Sequence, residues 1–362
     1  MLARFRVRRR GVADEPGRRV MRAMVMAAGL GTRLRPLTYE IAKPMVPVAN
    51  RPLIEHILRL LRKHGFGEVI ANLHWFPDPI RAHLGDGSEW EIELTYSYEE
   101  TLLDTAGGVW NVRDYLTADD ESFLVMAGDA LTDVDLRAVC EAHAAHDGVA
   151  TMTVKRVPNV SEFGVVVTDA EGRVQGFQEK PDPAEALSDL ANCMIYAFRP
   201  EIFDYFPDPP YVDWAKDIFP SLLDADVPFY THTVDRYWND VGSLGELLRG
   251  NLDCVAGTVD VEPAGEIVAA EADPDSPDQG GLPEPRAGIP AGTAVDGAVL
   301  VGEDVEIGYN VRLDGPVVIG DGARVGDGAR IKESLMLPGA EVPAEGLVAA
   351  SVIGRRGALA AA

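Results

Sequence analysis

A short loop rich in glycine and cationic side chains is the part of the sequence best suited to chemistry. Two glycines and three cations follow an apolar run near the N terminus, namely Gly29, Gly31, Arg33, Arg35 and Lys43. Glycine lets backbone N–H groups approach an anion without obstruction by a side chain. The three cations add full positive charge to the same loop. This pattern predicts a polyphosphate site, and with it phosphoryl or nucleotidyl transfer.

A carboxylate that could serve this chemistry lies farther along the chain. The pair Gly128-Asp129 directly follows the apolar run 123–127. A carboxylate at the end of a buried strand is costly unless it binds a cation. A helix-capping aspartate is the alternative, but Asp133 or Asp135 fits that role better. Asp129 is therefore a candidate metal ligand.

The elements that must position these residues alternate between strand-like and helix-like segments up to about Gly250. The strand-like runs are Ala23–Ala28, Val69–Asn72, Ile92–Tyr98, Phe123–Ala127 and Ala150–Val157. The helix-like segments are Pro52–His64, Asp78–Leu84, Gly107–Tyr115 and Asp135–His146. Such alternation predicts an α/β fold with a Rossmann-like, doubly wound, mostly parallel sheet. In this fold ligands bind beyond the carboxyl ends of the strands, where the glycine loop and Asp129 are expected.

A repeat of six residues follows near the C terminus. Aliphatic side chains recur at Ile289, Val295, Val301, Ile307, Leu313, Ile319, Val325, Ile331 and Leu337. Neither an α-helix nor a flat strand has this period, whereas hexapeptide repeats build a parallel β-helix. We therefore expect a left-handed parallel β-helix of about three coils over residues 288–362.

The remaining segments set the predicted domain boundaries. Residues 1–22 are rich in arginine and have no apolar core, so they are not a secretory signal. We predict a disordered basic tail, or a start assigned too far upstream; a basic docking arm is the alternative. The catalytic domain is predicted over residues 23–255. Residues 256–287 are acidic and rich in proline and glycine, which is typical of a flexible linker.

The composition of the 362-residue chain limits the partners it could have. The formal net charge is -25, and such an acidic surface repels nucleic acid and anionic membranes. No apolar run approaches the roughly 18 residues needed to span a bilayer. The three cysteines are far apart and form no CxxC pair, which fits a reducing cytoplasm. We expect a cytoplasmic protein with neither nucleic acid nor membrane as a partner.

The loop sequence Ala-Gly-Leu-Gly-Thr-Arg-Leu-Arg-Pro-Leu-Thr, with Lys-Pro shortly after it, resembles the signature of the sugar-phosphate nucleotidyltransferases, or nucleotide-sugar pyrophosphorylases. The resemblance extends from Ala23 through the hexapeptide repeats. Within this family, Asn72-Leu73-His74, Tyr98-Glu99-Glu100 and the short repeat domain are most similar to bacterial mannose-1-phosphate guanylyltransferases. The chain departs from the pattern at Ala42, where proline is common, and at Asp104, where glycine is usual.

The resemblance implies a reaction in which a sugar 1-phosphate attacks the α-phosphorus of a nucleoside triphosphate and pyrophosphate leaves. Arg33 would contact the β- and γ-phosphates, and Lys43 would bridge the α-phosphate and the sugar phosphate. Asp240, in Tyr-Trp-Asn-Asp-Val-Gly, matches a second family aspartate, so that Asp129 and Asp240 would hold Mg²⁺ with the phosphates. The backbone that would cradle the triphosphate comprises Ala28, Gly29, Gly31 and Thr32.

The resemblance also assigns the base and sugar contacts. Glu99 and Gly107 match the segment that grips the base. A carboxylate only accepts hydrogen bonds, which suits the two adjacent donors of guanine and favours GTP. The hexose phosphate would be held by Gly164, Glu179, Lys180 and Asn192.

Several functions remain open from the sequence. GTP and mannose 1-phosphate are the favoured substrates, and a glucose-1-phosphate uridylyl- or thymidylyltransferase is the alternative. An acyltransferase in the β-helix would need a histidine there, but the last histidine is His232. We therefore interpret the β-helix as a homo-oligomerisation or regulatory module. A non-catalytic paralogue that binds a nucleotide sugar would have lost catalytic residues, and these are present.

Overall fold

The computed structural model describes residues 21–207, 211–269, 289–290 and 292–359. Within these residues the N-terminal domain is built on a nine-stranded sheet with two short two-stranded pairs beside it. The strands are β1 (Met21–Met26), β2 (Pro47–Val48), β3 (Arg51–Pro52), β4 (Phe66–Leu73), β5 (Glu93–Tyr98), β6 (Phe123–Ala127), β7 (Leu131–Thr132), β8 (Ala150–Arg156), β9 (Gly164–Thr168), β10 (Val174–Glu179), β11 (Leu190–Phe198), β12 (Tyr230–Val234) and β13 (Trp238–Asn239).

The order of strands through the large sheet is β10-β9-β11-β6-β1-β4-β5, and β8 and β12 extend it from β11. Strands β6, β1, β4 and β5 are parallel. Met26 pairs with both Asn72 and Ala127, so the carboxyl ends of three central strands are aligned. The predicted parallel core is confirmed. The half of the sheet beyond β6 is largely antiparallel, since β11 pairs antiparallel with β6, β8 and β9.

Helices cover both faces of this sheet, as a doubly wound fold requires. They are α1 (Leu53–Lys63), α2 (Pro77–Leu84), α3 (Asp104–Asn111), α4 (Arg113–Leu116), α5 (Leu136–Ala144), α6 (Phe219–Asp224) and α7 (Leu244–Val255). Successive strand residues point to opposite faces, so Ala23 and Val25 pack with α1, α2 and α5 while Met24 packs with α3 and α4. No helix in the described ranges is long and apolar enough to cross a membrane.

The N-terminal boundary of the domain differs from the prediction by two residues. Strand β1 begins at Met21, and the Arg22 guanidinium forms ion pairs of 2.6 Å with Glu68 and 2.7 Å with Asp119. Arg22 therefore belongs to the folded domain and not to the basic tail. The rest of that predicted tail, residues 1–20, lies outside the described residues.

The C-terminal domain is a parallel β-helix, as predicted. Its sheets of stacked strands run β15-β18-β21-β24, β16-β19-β22-β25 and β17-β20-β23. The strands are β14 (Glu266–Ala269), β15 (Ala294–Asp296), β16 (Ala298–Val301), β17 (Glu306–Ile307), β18 (Arg312–Asp314), β19 (Val317–Ile319), β20 (Arg324–Val325), β21 (Arg330–Lys332), β22 (Leu335–Met336), β23 (Glu341–Val342), β24 (Leu347–Ala349), β25 (Val352–Gly354) and β26 (Gly357–Leu359).

The hexapeptide register was predicted correctly up to Ile331 and wrongly at Leu337. Strands β16 and β19 pair with an offset of 18 residues, whereas Ile319 pairs with Met336, an offset of 17. One coil is therefore a residue shorter, and Met336 takes the interior position in place of Leu337.

Strand β14 corrects the predicted linker. It lies within residues 256–287 but pairs antiparallel with β16, and it covers the first edge of the β-helix. Strand β26 covers the opposite edge by an antiparallel pairing with β25. Both additions leave fewer unpaired backbone groups at the ends of the stack. The part of the predicted linker from residue 270 to its end at residue 287 lies outside the described residues.

The β-helix packs on the catalytic domain through an apolar stripe on one outer face. Leu300, Val318, Leu335 and Val352 form this stripe, one from each coil, and all are buried. They share a core with Leu247 and Leu248 of α7. Helix α7 follows Asp240 closely in the chain, so the β-helix contacts an element next to the candidate active site.

Candidate active site

The glycine loop places Lys43 against its own first turn. Gly31 has φ +61°, and an added Cβ would lie 2.9 Å from Lys43 Cβ and 3.0 Å from Thr38 Cγ2. The Thr38 hydroxyl donates to the Gly31 carbonyl over 2.7 Å. Glycine is therefore required at position 31 so that the lysine can pack there. At Gly29 an added Cβ would meet no atom of the described chain within 4 Å, so the protein's own packing does not demand that glycine.

Four predicted residues meet at one cationic centre. Lys43 Nζ donates to Asp129 Oδ2 over 2.8 Å and to the Asp240 backbone carbonyl over 3.0 Å. The Lys43 side chain is only 9% exposed. Arg33 Nη2 lies 3.3 Å from Asp240 Oδ2, and its side chain is 60% exposed. The buried cation is thus held between the two aspartates, while the arginine can still reach a ligand.

The two aspartates are brought together by strand pairing. Asp129 follows β6 and Asp240 follows β13, and the short strands β7 and β13 pair antiparallel. Gly128 donates its N–H to the Met26 carbonyl over 2.8 Å, and an added Cβ there would be as close to that oxygen. At Gly242 an added Cβ would lie 2.6 Å from Asp240 Oδ2 and 2.7 Å from Arg33 Nη1. Gly242 thus keeps space for the charged groups, and Gly128 keeps space for the neighbouring strand β1.

Gly31, Arg33, Lys43, Asp129 and Gly242 line an open cavity of about 180 Å³, together with Thr32 and Leu34. Asp240 lies next to this cavity through its contact with Arg33. Ala28, predicted to contribute backbone to the cradle, is buried just before it. In the described residues no group of three or more His, Cys, Asp and Glu side chains could hold a metal alone. Two carboxylates facing a cavity fit Mg²⁺, which is usually bound by one or two carboxylates plus substrate phosphates.

A further carboxylate, Glu246, lies near Asp240. Burial raises the pKa of Glu246, in the first turn of α7, and the negative charge of Asp240 raises it further against the opposing effect of Arg249. A cation placed near two carboxylates stabilises their charged forms. The electrostatics of the site therefore suit a cation near Asp240.

The predicted base contact, Glu99, is turned into the protein. It is 3% exposed. Its Oε1 accepts from Asn72 Nδ2 over 2.8 Å, and its Oε2 accepts from the Leu103 N–H over 3.1 Å. Asn72 Oδ1 in turn accepts from the Ala27 N–H over 2.8 Å. Glu99 and Asn72 thereby connect the backbone at Leu103 to the start of the glycine loop.

Gly107, predicted to lie in the segment that grips the base, is followed by a second glycine that packs against Glu99. The Gly107 N–H donates to the Val212 carbonyl over 3.0 Å. At Gly108 an added Cβ would lie 2.7 Å from both Asn72 Nδ2 and Glu99 Oε1. Gly108 is therefore the glycine that the Asn72–Glu99 pair requires. Asp104, which replaces the usual glycine, has φ +65°, a conformation that explains the family preference.

The predicted sugar residues lie on a hairpin beside Asp240. Gly164 of β9 pairs directly with Glu179 of β10, and an added Cβ at Gly164 would be 3.1 Å from Glu179 Oε2. Glu179 and Lys180 are exposed. The hairpin is anchored by the ring of Phe163, whose centroid is 5.4 Å from that of Trp238, two residues before Asp240.

Asn192, the remaining predicted sugar contact, closes a bulge in β11. Its Oδ1 accepts from the Met194 N–H over 2.9 Å, and its Nδ2 donates to the Tyr196 hydroxyl over 2.8 Å. Met194 has φ +54°, and the register of β11 with β8 shifts between Asn192 and Tyr196. The structure gives this side chain an internal partner at both ends.

Two buried asparagines were missed as parts of the site. Asn72 connects the glycine loop to Glu99, and Asn251 connects α7 to the chain that follows Lys43. Asn72 lies in a segment that carried the family resemblance, and its position at the end of a buried strand was an available signal. Asn251 follows a glycine in an amphipathic helix, where the sequence offers little to distinguish it.

Comparison with known proteins defines the class. The chain matches the Nucleotidyl transferase family over residues 22–256 and the GMPPB C-terminal domain over residues 286–361, and it belongs to the nucleotidyl transferase family. The family generally uses a divalent metal.

Individual relatives carry different substrate names. A UTP–glucose-1-phosphate uridylyltransferase of Synechocystis sp. is 40% identical over 62% of this chain and 61% of its own length. A mannose-1-phosphate guanylyltransferase of Mycobacterium tuberculosis is 33% identical over 82% of this chain and 79% of its own length. The crystal structure of HddC from Yersinia pseudotuberculosis, at 21% identity, has the same fold, with a TM-score of 0.56 over 64% of this chain and 98% of that one.

Proposed function

We propose that this protein joins GTP and mannose 1-phosphate to give GDP-mannose and pyrophosphate. The cationic centre carries the proposal, because Lys43 is held between Asp129 and Asp240 at the mouth of a cavity lined by the glycine loop. Such a centre suits a reaction between two phosphates, whose mutual repulsion must be neutralised before they can meet.

In this mechanism a sugar phosphate oxygen attacks the α-phosphorus of the triphosphate, and the bond from that phosphorus to the β-phosphate oxygen breaks. Arg33, with its exposed guanidinium, neutralises the β- and γ-phosphates that leave as pyrophosphate. Lys43 bridges the α-phosphate and the incoming sugar phosphate. The backbone from Ala28 to Thr32 cradles the triphosphate, and the open space beside Gly29 suits a close approach.

Asp129 and Asp240 would hold Mg²⁺ in this proposal. The bound ion would supply positive charge to the phosphate oxygens and orient the triphosphate. The same carboxylates hold Lys43 and Arg33 in place, so they contribute to the site through the chain's own cations as well. Gly164, Glu179 and Lys180 would bind the hexose phosphate on the neighbouring hairpin.

The choice of GTP and mannose rests on two observations. The C-terminal residues match the GMPPB C-terminal domain, and the mycobacterial guanylyltransferase aligns with 82% of this chain, across both domains. UTP and glucose 1-phosphate are the second candidate pair. They are favoured by the 40% identity to the cyanobacterial uridylyltransferase, which aligns with 62% of this chain.

We further propose that the protein forms a homo-oligomer through its β-helix. Leu347 and Tyr309, two large apolar side chains of this domain, are 78% and 74% exposed and are available to a second copy of the chain. Light scattering of the purified protein tests this, and a strictly monomeric mass would refute it. A cytoplasmic location is proposed from the unpaired state of Cys140, Cys193 and Cys254.

Pyrophosphate release with Mg²⁺, each nucleoside triphosphate and a panel of hexose 1-phosphates tests the activity. We expect the highest kcat/KM with GTP and mannose 1-phosphate. Release only with UTP or dTTP would refute the guanylyl assignment, and no release with any pair would refute the enzymatic function.

A further inference from the structure

A short hairpin connects Lys43 to both the β-helix and α7. Strands β2 and β3 form it, and the two residues at its tip, Ala49 and Asn50, have φ values of +48° and +62°. Two successive left-handed residues are the signature of a tight type I′ turn. The hairpin begins only four residues after Lys43, and the Val46 N–H donates to the Lys43 carbonyl over 3.1 Å. A shift of the hairpin would therefore shift the lysine.

Asn251 of α7 fixes this hairpin from beneath. It is fully buried, and its Oδ1 accepts from the Ala49 N–H over 2.9 Å. Its Nδ2 donates to the Leu247 carbonyl over 2.9 Å and lies 3.3 Å from the Pro47 carbonyl. One amide thus bonds the hairpin at two backbone positions and its own helix at a third.

Asp240 is attached to the other end of the same helix. The side chain of Ser243 caps α7 by accepting from the Glu246 N–H over 3.2 Å, and Asp240 lies three residues before that cap. The Asp240 carbonyl accepts from Lys43 Nζ over 3.0 Å. Helix α7, Asp240, Lys43 and the hairpin are therefore connected in series. The Asn251 amide connects the hairpin back to α7.

The β-helix holds the tip of the hairpin from the other side. Asn50 Nδ2 donates to the Ile319 carbonyl over 3.1 Å. At Gly302 an added Cβ would lie 3.1 Å from that same Nδ2, so a side chain at position 302 would crowd the contact. The stripe of Leu300, Val318, Leu335 and Val352 packs on α7 as well. The β-helix thus contacts both segments that Asn251 joins.

We propose that Asn251 is a positioning residue that sets Lys43 Nζ against Asp129 and the Asp240 carbonyl, with the β-helix as its support. The catalytic effect rests on the proposed function, whereas the effect on the position of Lys43 does not. A misplacement of a reacting group by about 1 Å can cost about 100-fold in rate.

A double-mutant cycle tests the catalytic effect with the full chain. We expect Asn251→Ala to lower kcat for GDP-mannose formation by about 10-fold or more, with KM for both substrates changed by less than about twofold. In a Lys43→Ala background, Asn251→Ala should lower the residual kcat by less than about twofold, because the group it positions is gone. An unchanged kcat in the single variant, or a full 10-fold loss in the Lys43→Ala background, overturns the proposal.

Two further variants separate positioning from general loss of stability. Val352→Ala removes buried methyl groups from the same interface without touching the hairpin. It should lower Tm but leave kcat within about twofold; a fall in kcat equal to that of Asn251→Ala would overturn a specific role. Asn251→Asp keeps the acceptor for the Ala49 N–H but turns an oxygen toward the Leu247 and Pro47 carbonyls, so its kcat should fall at least as far as that of Asn251→Ala. If Asn251→Ala does not fold, the same cycle is run with Asn251→Asp.

A crystal structure of the Asn251→Ala or Asn251→Asp variant tests the position of Lys43 without any assay. We expect Lys43 Nζ to lose its contact with Asp129 or with the Asp240 carbonyl. Retention of both contacts at their present lengths overturns the proposal. An inactive wild-type protein would instead refute the proposed function and would leave this structural test fully decisive for the inference.

Discussion

The part of the site proposed to bind phosphates (the phosphate side) and the part proposed to bind base and sugar (the base-and-sugar side) differ in what their side chains contact. On the phosphate side, Arg33, Lys43, Asp129 and Asp240 contact one another beside an open cavity. On the other side, Glu99 and Asn192 direct their polar atoms to neighbouring backbone and side chains of the protein. Glu179 and Lys180 differ from both groups, because they lie exposed on a hairpin.

This difference has a physical origin. A charged side chain at the end of a buried strand must have a counter-charge or a ligand. A charged residue at such a position therefore indicates both where a site lies and what it contacts. A carboxylate or an amide near free backbone N–H groups can be satisfied within its own loop instead. Residue type is therefore a better guide to a side chain that faces a ligand for Lys43 than for Glu99.

The largest effect is expected from removing the cation on the phosphate side. Lys43→Ala should lower kcat by about 1,000-fold, because it removes a preorganised positive charge and leaves Asp129 without its buried partner. Steady-state pyrophosphate release measures this. Lys63→Ala is the matched control, since Lys63 forms an exposed ion pair with Asp260, and its kcat should remain unchanged. A Lys43→Ala enzyme within tenfold of wild type would remove the basis for placing catalysis at this centre.

A smaller loss is expected from Asp129→Asn. The amide keeps the shape but loses the negative charge, so kcat should fall by about 100-fold and the Mg²⁺ concentration for half-maximal rate should rise. A magnesium titration at saturating substrates measures both quantities. Asp133→Asn, which alters a carboxylate that accepts from the Tyr237 N–H, should leave the magnesium dependence unchanged. Unaltered turnover of Asp129→Asn would show that the metal assignment is wrong.

The sequence predicted which charged residues meet in the structure, for reasons that particular residues make plain. The spacing of Gly31, Arg33 and Lys43 is local, and a single loop delivers it. Asp129 and Asp240 are 111 residues apart, and only the family resemblance connected them; strand pairing then explains how they meet. The repeat predicted the β-helix because stacking requires a regular period, but the shorter coil that places Met336 inside leaves no composition signal.

Glu99→Gln separates the two possible functions of that side chain. If Glu99 is a brace, the Gln amide turns an N–H toward a donor, either Asn72 Nδ2 or the Leu103 N–H, and the loop loosens. We then expect kcat/KM for GTP and for UTP to fall together, by about 10-fold. If Glu99 instead contacts the base, kcat/KM for GTP should fall by a similar factor while kcat/KM for UTP is unaffected, so that the ratio of the two values changes. Paired measurements with both nucleotides distinguish the outcomes.

The smallest effect is expected at Asn192, because its amide is already occupied at both ends. Asn192→Ala removes the acceptor for the Met194 N–H and the donor to the Tyr196 hydroxyl, so the bulge that holds Met194 at φ +54° loses its closure. We expect a loss of about 1–2 kcal/mol in the free energy of unfolding and a KM for the sugar phosphate within about threefold of wild type.

Asn159→Ala is the matched control for that variant, since the Asn159 side chain closes an exposed turn through the Ser161 N–H. Its free energy of unfolding should change by less than about 0.5 kcal/mol. A rise of tenfold or more in the KM of Asn192→Ala for the sugar phosphate, with stability unchanged, would give Asn192 a direct contact with the hexose. The side chains of the base-and-sugar side would then contact a ligand, as proposed for the phosphate side. The hydrogen bonds of Asn192 to Met194 and Tyr196 would belong to the ligand-free state.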